Sequence, residues 1–78
     1  MGQEEKIIIL KNLGENIRKL RINLGISQEE LAFKINSARN FIGCIERAEK
    51  SPTIYTLYRI ANALNVKLEE LVKDVDRA

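Results

Sequence analysis

Gly25-Ile26-Ser27-Gln28-Glu29-Glu30-Leu31-Ala32-Phe33-Lys34-Ile35-Asn36-Ser37-Ala38-Arg39-Asn40-Phe41-Ile42-Gly43-Cys44-Ile45-Glu46-Arg47 reads as two short helices joined by a tight turn. Ser27 followed three residues later by Glu30 is a capping box, in which each side chain satisfies a backbone N–H of the other. Glu29 and Glu30 also sit well at the positive end of the helix dipole. Leu31, Ala32 and Ile35 supply the inner face. Asn36, one of the few non-glycine residues at ease in a left-handed conformation, ends the helix. The second helix is expected from about Arg39 to Arg47, with Ser37 or Ala38 at its start and Ile42 and Ile45 pointing inward. Only Asn36-Ser37-Ala38 lie between the two.

Such a connection is the spacing of a helix-turn-helix. Upstream, Ile7, Leu10, Leu13, Ile17, Leu20 and Leu24 recur at helical spacing and predict a helix over 4–24 that stops at Gly25. Gly14 weakens its middle, so its first turns are expected to stand apart or fray. Downstream comes the loop Glu49-Lys50-Ser51-Pro52. Thr53 is the expected N-cap of a fourth helix with Leu57, Ile60, Ala61 and Leu64 as its buried stripe, and Asn65 ends it. A fifth helix is expected over Leu68 to Lys73, with Asp76 as its furthest limit. Five helices with short connections predict an all-α fold, a compact five-helix bundle around the central motif. The division expected is a helical extension over 1–12, the helix-turn-helix domain over 13–73 and a tail over 74–78.

The chain has 78 residues, so a single domain is expected. At 45% hydrophobic and 31% charged it is too apolar for disorder. Cys44 is the one cysteine, so no internal disulfide can form, which fits a reducing cytoplasm. The run Ile7-Ile8-Ile9-Leu10 is too short for the core of a secretory leader, and Glu4 and Glu5 precede it where a leader would be basic. Positive charge gathers in the middle: residues 17–59 hold eight Lys/Arg against four Glu, and both flanks are slightly acidic. That distribution suits a polyanion partner.

The resemblance is to the Cro/phage-repressor type of helix-turn-helix domain, also described as the xenobiotic-response-element type. It is carried by Ile17-Arg18-Lys19-Leu20-Arg21, Gly25-Ile26-Ser27-Gln28-Glu29-Glu30-Leu31-Ala32, Phe41-Ile42, Ile45-Glu46-Arg47, Ser51-Pro52-Thr53, Leu57, Ile60-Ala61, Ala63-Leu64 and Glu69-Glu70-Leu71. It implies a lambda-repressor-like fold, binding to double-stranded DNA, Gln28 on a phosphate, backbone contacts from Lys50 and Ser51, and an ion pair between Arg21 and Glu46. The Arg39-Asn40-Phe41-Ile42 start of the second motif helix also resembles controller proteins of restriction–modification systems, which are homodimers that activate and repress their own operon. Ala38 stands where that family usually has a Ser or Thr cap, and Ala48 where it usually has glycine.

A helix enters the major groove with its first turns toward the base edges. With Ile42 and Ile45 in the core, Arg39, Asn40, Gly43 and Cys44 are the candidates for base contact. Arg39 suits guanine O6 and N7, Asn40 suits adenine, and the Cys44 thiol suits a thymine methyl. Ser27, Gln28, Arg47, Lys50 and Ser51 are the candidates for phosphate contact, and Arg18 and Lys34 are further cations on the surface. A homodimer on a palindromic operator is expected, with Val66, Val72 and Val75 as its interface and Ile8 or Ile9 adding to it. RNA polymerase is a further partner for an activating member. No enzyme, cofactor or metal site is expected: there is no histidine, and no glycine-rich phosphate loop or ligand cluster. The rival reading is a protein-interaction module or antitoxin on the same fold.

Overall fold

The computed structural model describes residues 2–77, so Met1 of the expected extension and Ala78 of the expected tail lie outside the described residues. The helices are α1 (Gly2–Leu24), α2 (Gln28–Lys34), α3 (Phe41–Glu46), α4 (Ile54–Leu64) and α5 (Leu68–Leu71), with no strand among the described residues. No described helix is long and apolar enough to cross a membrane.

Four helix ends are closed by one device. A residue in left-handed conformation turns the chain back, so that the next N–H reaches a carbonyl of the last turn. Gly25 (φ 79°) does this for α1, Asn36 (φ 56°) for α2, Ala48 (φ 64°) for α3 and Asn65 (φ 60°) for α4. The closing bonds run from Ile26 to Arg21 at 3.3 Å, Ser37 to Ala32 at 2.9 Å, Glu49 to Cys44 at 2.8 Å and Val66 to Ala61 at 3.0 Å. Glycine and asparagine accept this conformation readily, whereas Ala48 adopts it against the clash of its Cβ.

At the start of α2, the Ser27 hydroxyl accepts from the Glu30 N–H at 3.0 Å and the Glu30 carboxylate accepts from the Ser27 N–H at 2.8 Å. Thr53 caps α4, accepting from the Thr56 N–H at 3.1 Å. The expected start of the second motif helix needs correction. It begins at Phe41, not Arg39, and neither Ser37 nor Ala38 caps it. The Ser37 N–H closes α2, and its hydroxyl donates to the carbonyls of Ala32 and Ala38. Arg39 and Asn40 instead form a turn, closed by the Phe41 N–H on the Ala38 carbonyl at 3.0 Å.

The other two corrections lie at the ends. α1 is unbroken through Gly14 and across the expected 12/13 boundary. Gly14 is buried at a crossing of α1 over the end of α3, where a Cβ would lie 2.6 Å from the Glu46 carbonyl oxygen and 2.8 Å from that of Ile45. The helix tolerates a glycine there because close packing replaces what propensity loses. α5 stops at Leu71 rather than Lys73, and side chains on α1 hold the carbonyls at and beyond its end. Asn16 donates to Leu71 at 2.8 Å and Lys73 at 2.9 Å, and Asn12 donates to Val75 at 2.8 Å and Arg77 at 2.7 Å.

Ile17, Leu31, Ile42, Ile45, Ile60 and Leu71 are fully buried, one or more from each helix. Two substitutions test these contacts by thermal or urea unfolding. Gly14→Ala meets backbone atoms that cannot swing aside and is expected to cost about 3 kcal/mol. Ala48→Gly relieves the left-handed strain and is expected to add about 1 kcal/mol, seen as a rise of about 5 °C in Tm.

Candidate nucleic-acid interface

Ile42 and Ile45 fix which side of α3 faces the core, and that decides what is left outside. Arg39 and Asn40 are exposed in the turn that leads into α3, Cys44 is half-buried, and Arg47, Lys50 and Ser51 are exposed after it. Gly43 is a correction: it is buried rather than open to a groove. A Cβ there would lie 2.9 Å from Arg47 Nη1 and 3.0 Å from Gln28 Oε1, so these two side chains lie across it.

Beneath that surface, one carboxylate joins three helices. Glu46 on α3 accepts from Arg21 Nε at 2.7 Å and Nη2 at 3.0 Å, and from Gln28 Nε2 at 2.9 Å. The third arm of the guanidinium, Arg21 Nη1, donates to the Ile26 carbonyl at 2.9 Å. The pair is largely out of water, with side-chain exposures of 11% for Arg21 and 3% for Glu46. Arg21 is held above its ordinary pKa by the hydrogen bond to Glu46, against the opposing effect of burial, so it stays charged at physiological pH. Among the described residues, no buried side-chain N or O lacks a partner.

Gln28 therefore differs from its expected role. Its amide is turned inward onto Glu46, which ties α2 to α3, and only its second N–H and the free backbone N–H groups at the start of α2 remain for an anion. The Ser27 hydroxyl accepts the capping bond, which leaves its own proton free to donate.

Both exposed arginines of the motif are paired with glutamates. Arg39 Nε donates to Glu29 Oε2, from the turn to α2. Arg47 donates to Glu49 through Nε at 2.9 Å and Nη2 at 3.4 Å, and its Nη2 also approaches Cys44 Sγ at 3.9 Å. The Arg47 hydrogen bond holds the Glu49 carboxyl below the usual carboxylate range. Arg18 pairs with Glu15 within α1, and Lys34 lines an open groove between α2 and α4 with Tyr55, Tyr58 and Arg59.

Three features escaped the sequence reading. Glu29 as the partner of Arg39 had no signal beyond its place in a first helical turn. Lys6 lines the same surface groove as Lys50 and Ser51, because the long α1 brings its N-terminal end beside the α3–α4 loop. The third concerns the expected interface valines. Val66 and Val75 are half-buried and pack against the core, and Val72 is exposed, at 37%. Ile54, Tyr55 and Tyr58 form an exposed apolar cluster on α4, with the two tyrosine rings 6.4 Å apart. The α4 stripe could have revealed part of it, since burying Leu57, Ile60 and Leu64 turns 55 and 58 outward, while Ile54 is the first residue of α4. No metal-binding cluster occurs among the described residues.

Residues 17–71 match the helix-turn-helix family model. The chain belongs to this helix-turn-helix family. An HTH-type transcriptional regulator of Sinorhizobium fredii, y4dJ, is 36% identical over 66 residues, covering 85% of this chain and 86% of that one. Among solved structures, the restriction–modification controller protein C.AhdI from Aeromonas hydrophila superposes with a TM-score of 0.77 at 34% identity, covering 80% of this chain and 94% of that one. A second controller, C.Esp1396I, solved as a tetramer with its natural 35 base-pair operator, gives 0.74 at 35% identity over 86% and 93%. The recognition expected from the motif residues and the five-helix fold both hold, and the chain stands among transcriptional regulators.

The buried network makes its own prediction. Arg21→Met strands the Glu46 charge and is expected to cost about 3 kcal/mol in unfolding experiments. Combining it with Glu46→Leu removes that stranded charge, so the double variant is expected to be more stable than Arg21→Met alone.

Proposed function

We propose that the protein is a sequence-specific regulator that binds double-stranded DNA as a homodimer on a palindromic operator, in the manner of restriction–modification controllers. The observation that carries this is the placement of Arg39 and Asn40. Both are exposed in the turn that opens α3, on a helix locked to α1 and α2 through Glu46. In a major groove these two side chains lead, Cys44 follows on the next turn, and Gly43 lets Gln28 and Arg47 lie flat against α3. Ser27, the α2 N-terminus, Lys50 and Ser51 then fall to the phosphates on either side, with Lys6 extending that rim. Arg47 joins them once it leaves Glu49.

One module covers one half-site, and its few contacts are weak at physiological salt, which is the physical reason to expect two copies. Exposed apolar side chains for a second copy are present on α4 at Ile54, Tyr55 and Tyr58 and at Val72. The resemblance to C.AhdI and C.Esp1396I over most of the chain supports the controller reading. It carries with it a cytoplasmic site of action and, for activation, a contact with RNA polymerase. The same α4 cluster is what favours the second reading, a protein-interaction module or antitoxin.

Binding to a random duplex, measured against salt, separates the two. A DNA binder loses affinity steeply between 50 and 200 mM salt, with a log–log slope set by the phosphates it neutralises. Lys50→Ala is expected to make that slope shallower by about one. Arg39→Ala is expected to relax the preference at one base pair by about tenfold or more. A flat salt response would favour the interaction module. Sedimentation at tens of micromolar is expected to show a dimer, and a monomer throughout would contradict the two-copy model.

A further inference from the structure

The geometry points to Glu29 as a specificity-determining residue that holds Arg39 for guanine and denies it the phosphates. This rests on the DNA-binding reading of α3. Arg39 leaves the Ala38–Phe41 turn with a side chain 83% exposed, so nothing in the core constrains it. Its one partner among the described residues is Glu29 on α2, which accepts the Nε–H through Oε2. That bond consumes the side of the guanidinium and leaves the Nη1 and Nη2 fork free. The fork is the edge that matches guanine O6 and N7.

The charge of Glu29 matters as much as its hydrogen bond. An untethered arginine beside DNA can satisfy itself on a phosphate at any sequence, which adds affinity without discrimination. A tethered one keeps its fork over the bases and meets two acceptors only at guanine. At adenine it faces one acceptor and an amino donor. The Glu29 carboxylate is also repelled by phosphates, so swinging Arg39 outward strands that charge near the backbone. In water an exposed pair of this kind is weak and screened. In a groove from which water is displaced, the same pair becomes stronger. The pair therefore acts chiefly in the bound state, where discrimination is decided. Glu29 itself is exposed and outside the buried Glu46 network, so replacing it leaves the fold intact.

The test compares wild type, Glu29→Ala, Glu29→Gln and Arg39→Ala on one selected half-site sequence, its single-base variants and random duplex, over a range of salt. Glu29→Ala is expected to lose about tenfold of its guanine preference at the base pair where Arg39→Ala also loses it. Its binding to random duplex is expected to tighten, with a salt slope steeper by about one as Arg39 moves to a phosphate. Glu29→Gln still accepts the Nε–H but lacks the charge, so it is expected to keep more of the guanine preference than Glu29→Ala. Unchanged discrimination in Glu29→Ala, or an equal change at every sequence, would overturn the assignment. Failure of the wild-type protein to show any salt-dependent DNA binding would instead count against the underlying reading.

Discussion

The arrangement depends on a carboxylate buried between three helices. Glu46 receives both arms of Arg21 from α1 and the amide of Gln28 from α2. A charge this far out of water is tolerated only when both of its oxygens are hydrogen-bonded, so the position of α3 is specified by donors that cannot be given up cheaply. Gly14 completes the constraint from the other side. By carrying no Cβ, it lets α1 press onto the last carbonyls of α3. A six-residue helix has little stability of its own. Here its orientation comes from a hydrogen-bonded clamp at its C-terminal end and from Ile42 and Ile45 beneath it.

A fixed base of this kind gives meaning to the exposed side chains above it. Arg39 and Arg47 are exposed and each rests on a glutamate. Those pairs contribute little to folding in water. Their consequence is for binding: each sets what its arginine must exchange when an anion approaches. The motif thus separates a buried electrostatic interaction that orients the reading helix from exposed ones that bias what it reads.

Most of the fold was legible because local signals agreed with the tertiary outcome. The Ser27 and Glu30 box, the Thr53 cap, the Asn36 and Asn65 stops and the apolar stripes all act within a few residues of chain. Apart from the start of α3, where Ser37 is taken by local bonds to Ala32 and Ala38, what was missed depends on partners far away in sequence. Gly14 looked like a weak point because its reason is the backbone of residues 45 and 46. The chain after α5 is held by Asn12 and Asn16 on α1, more than fifty residues away, which no local signal near Leu71 shows. The bond of Gln28 to Glu46 had no local signal because it crosses from one helix to the next. How far Val66 and Val75 are covered was not readable either, because a five-helix pattern does not say which side of a short terminal segment meets the core. At the interface, Arg39 and Asn40 followed from the commitment of Ile42 and Ile45 to the core, whereas the Glu29 partner of Arg39 depends on how α2 and the turn meet.

The surface we propose for DNA is the face built from the α2 N-terminus, the turn and α3, and the loop after it, on a scaffold that does not rearrange. Amide chemical-shift mapping during titration with a duplex tests this most directly. The predicted result is that the largest changes fall at residues 27–29, 38–47 and 49–52, with the amides of α5 nearly still. Changes centred on α5 or on the exposed α4 cluster, with residues 38–47 unmoved, would contradict it.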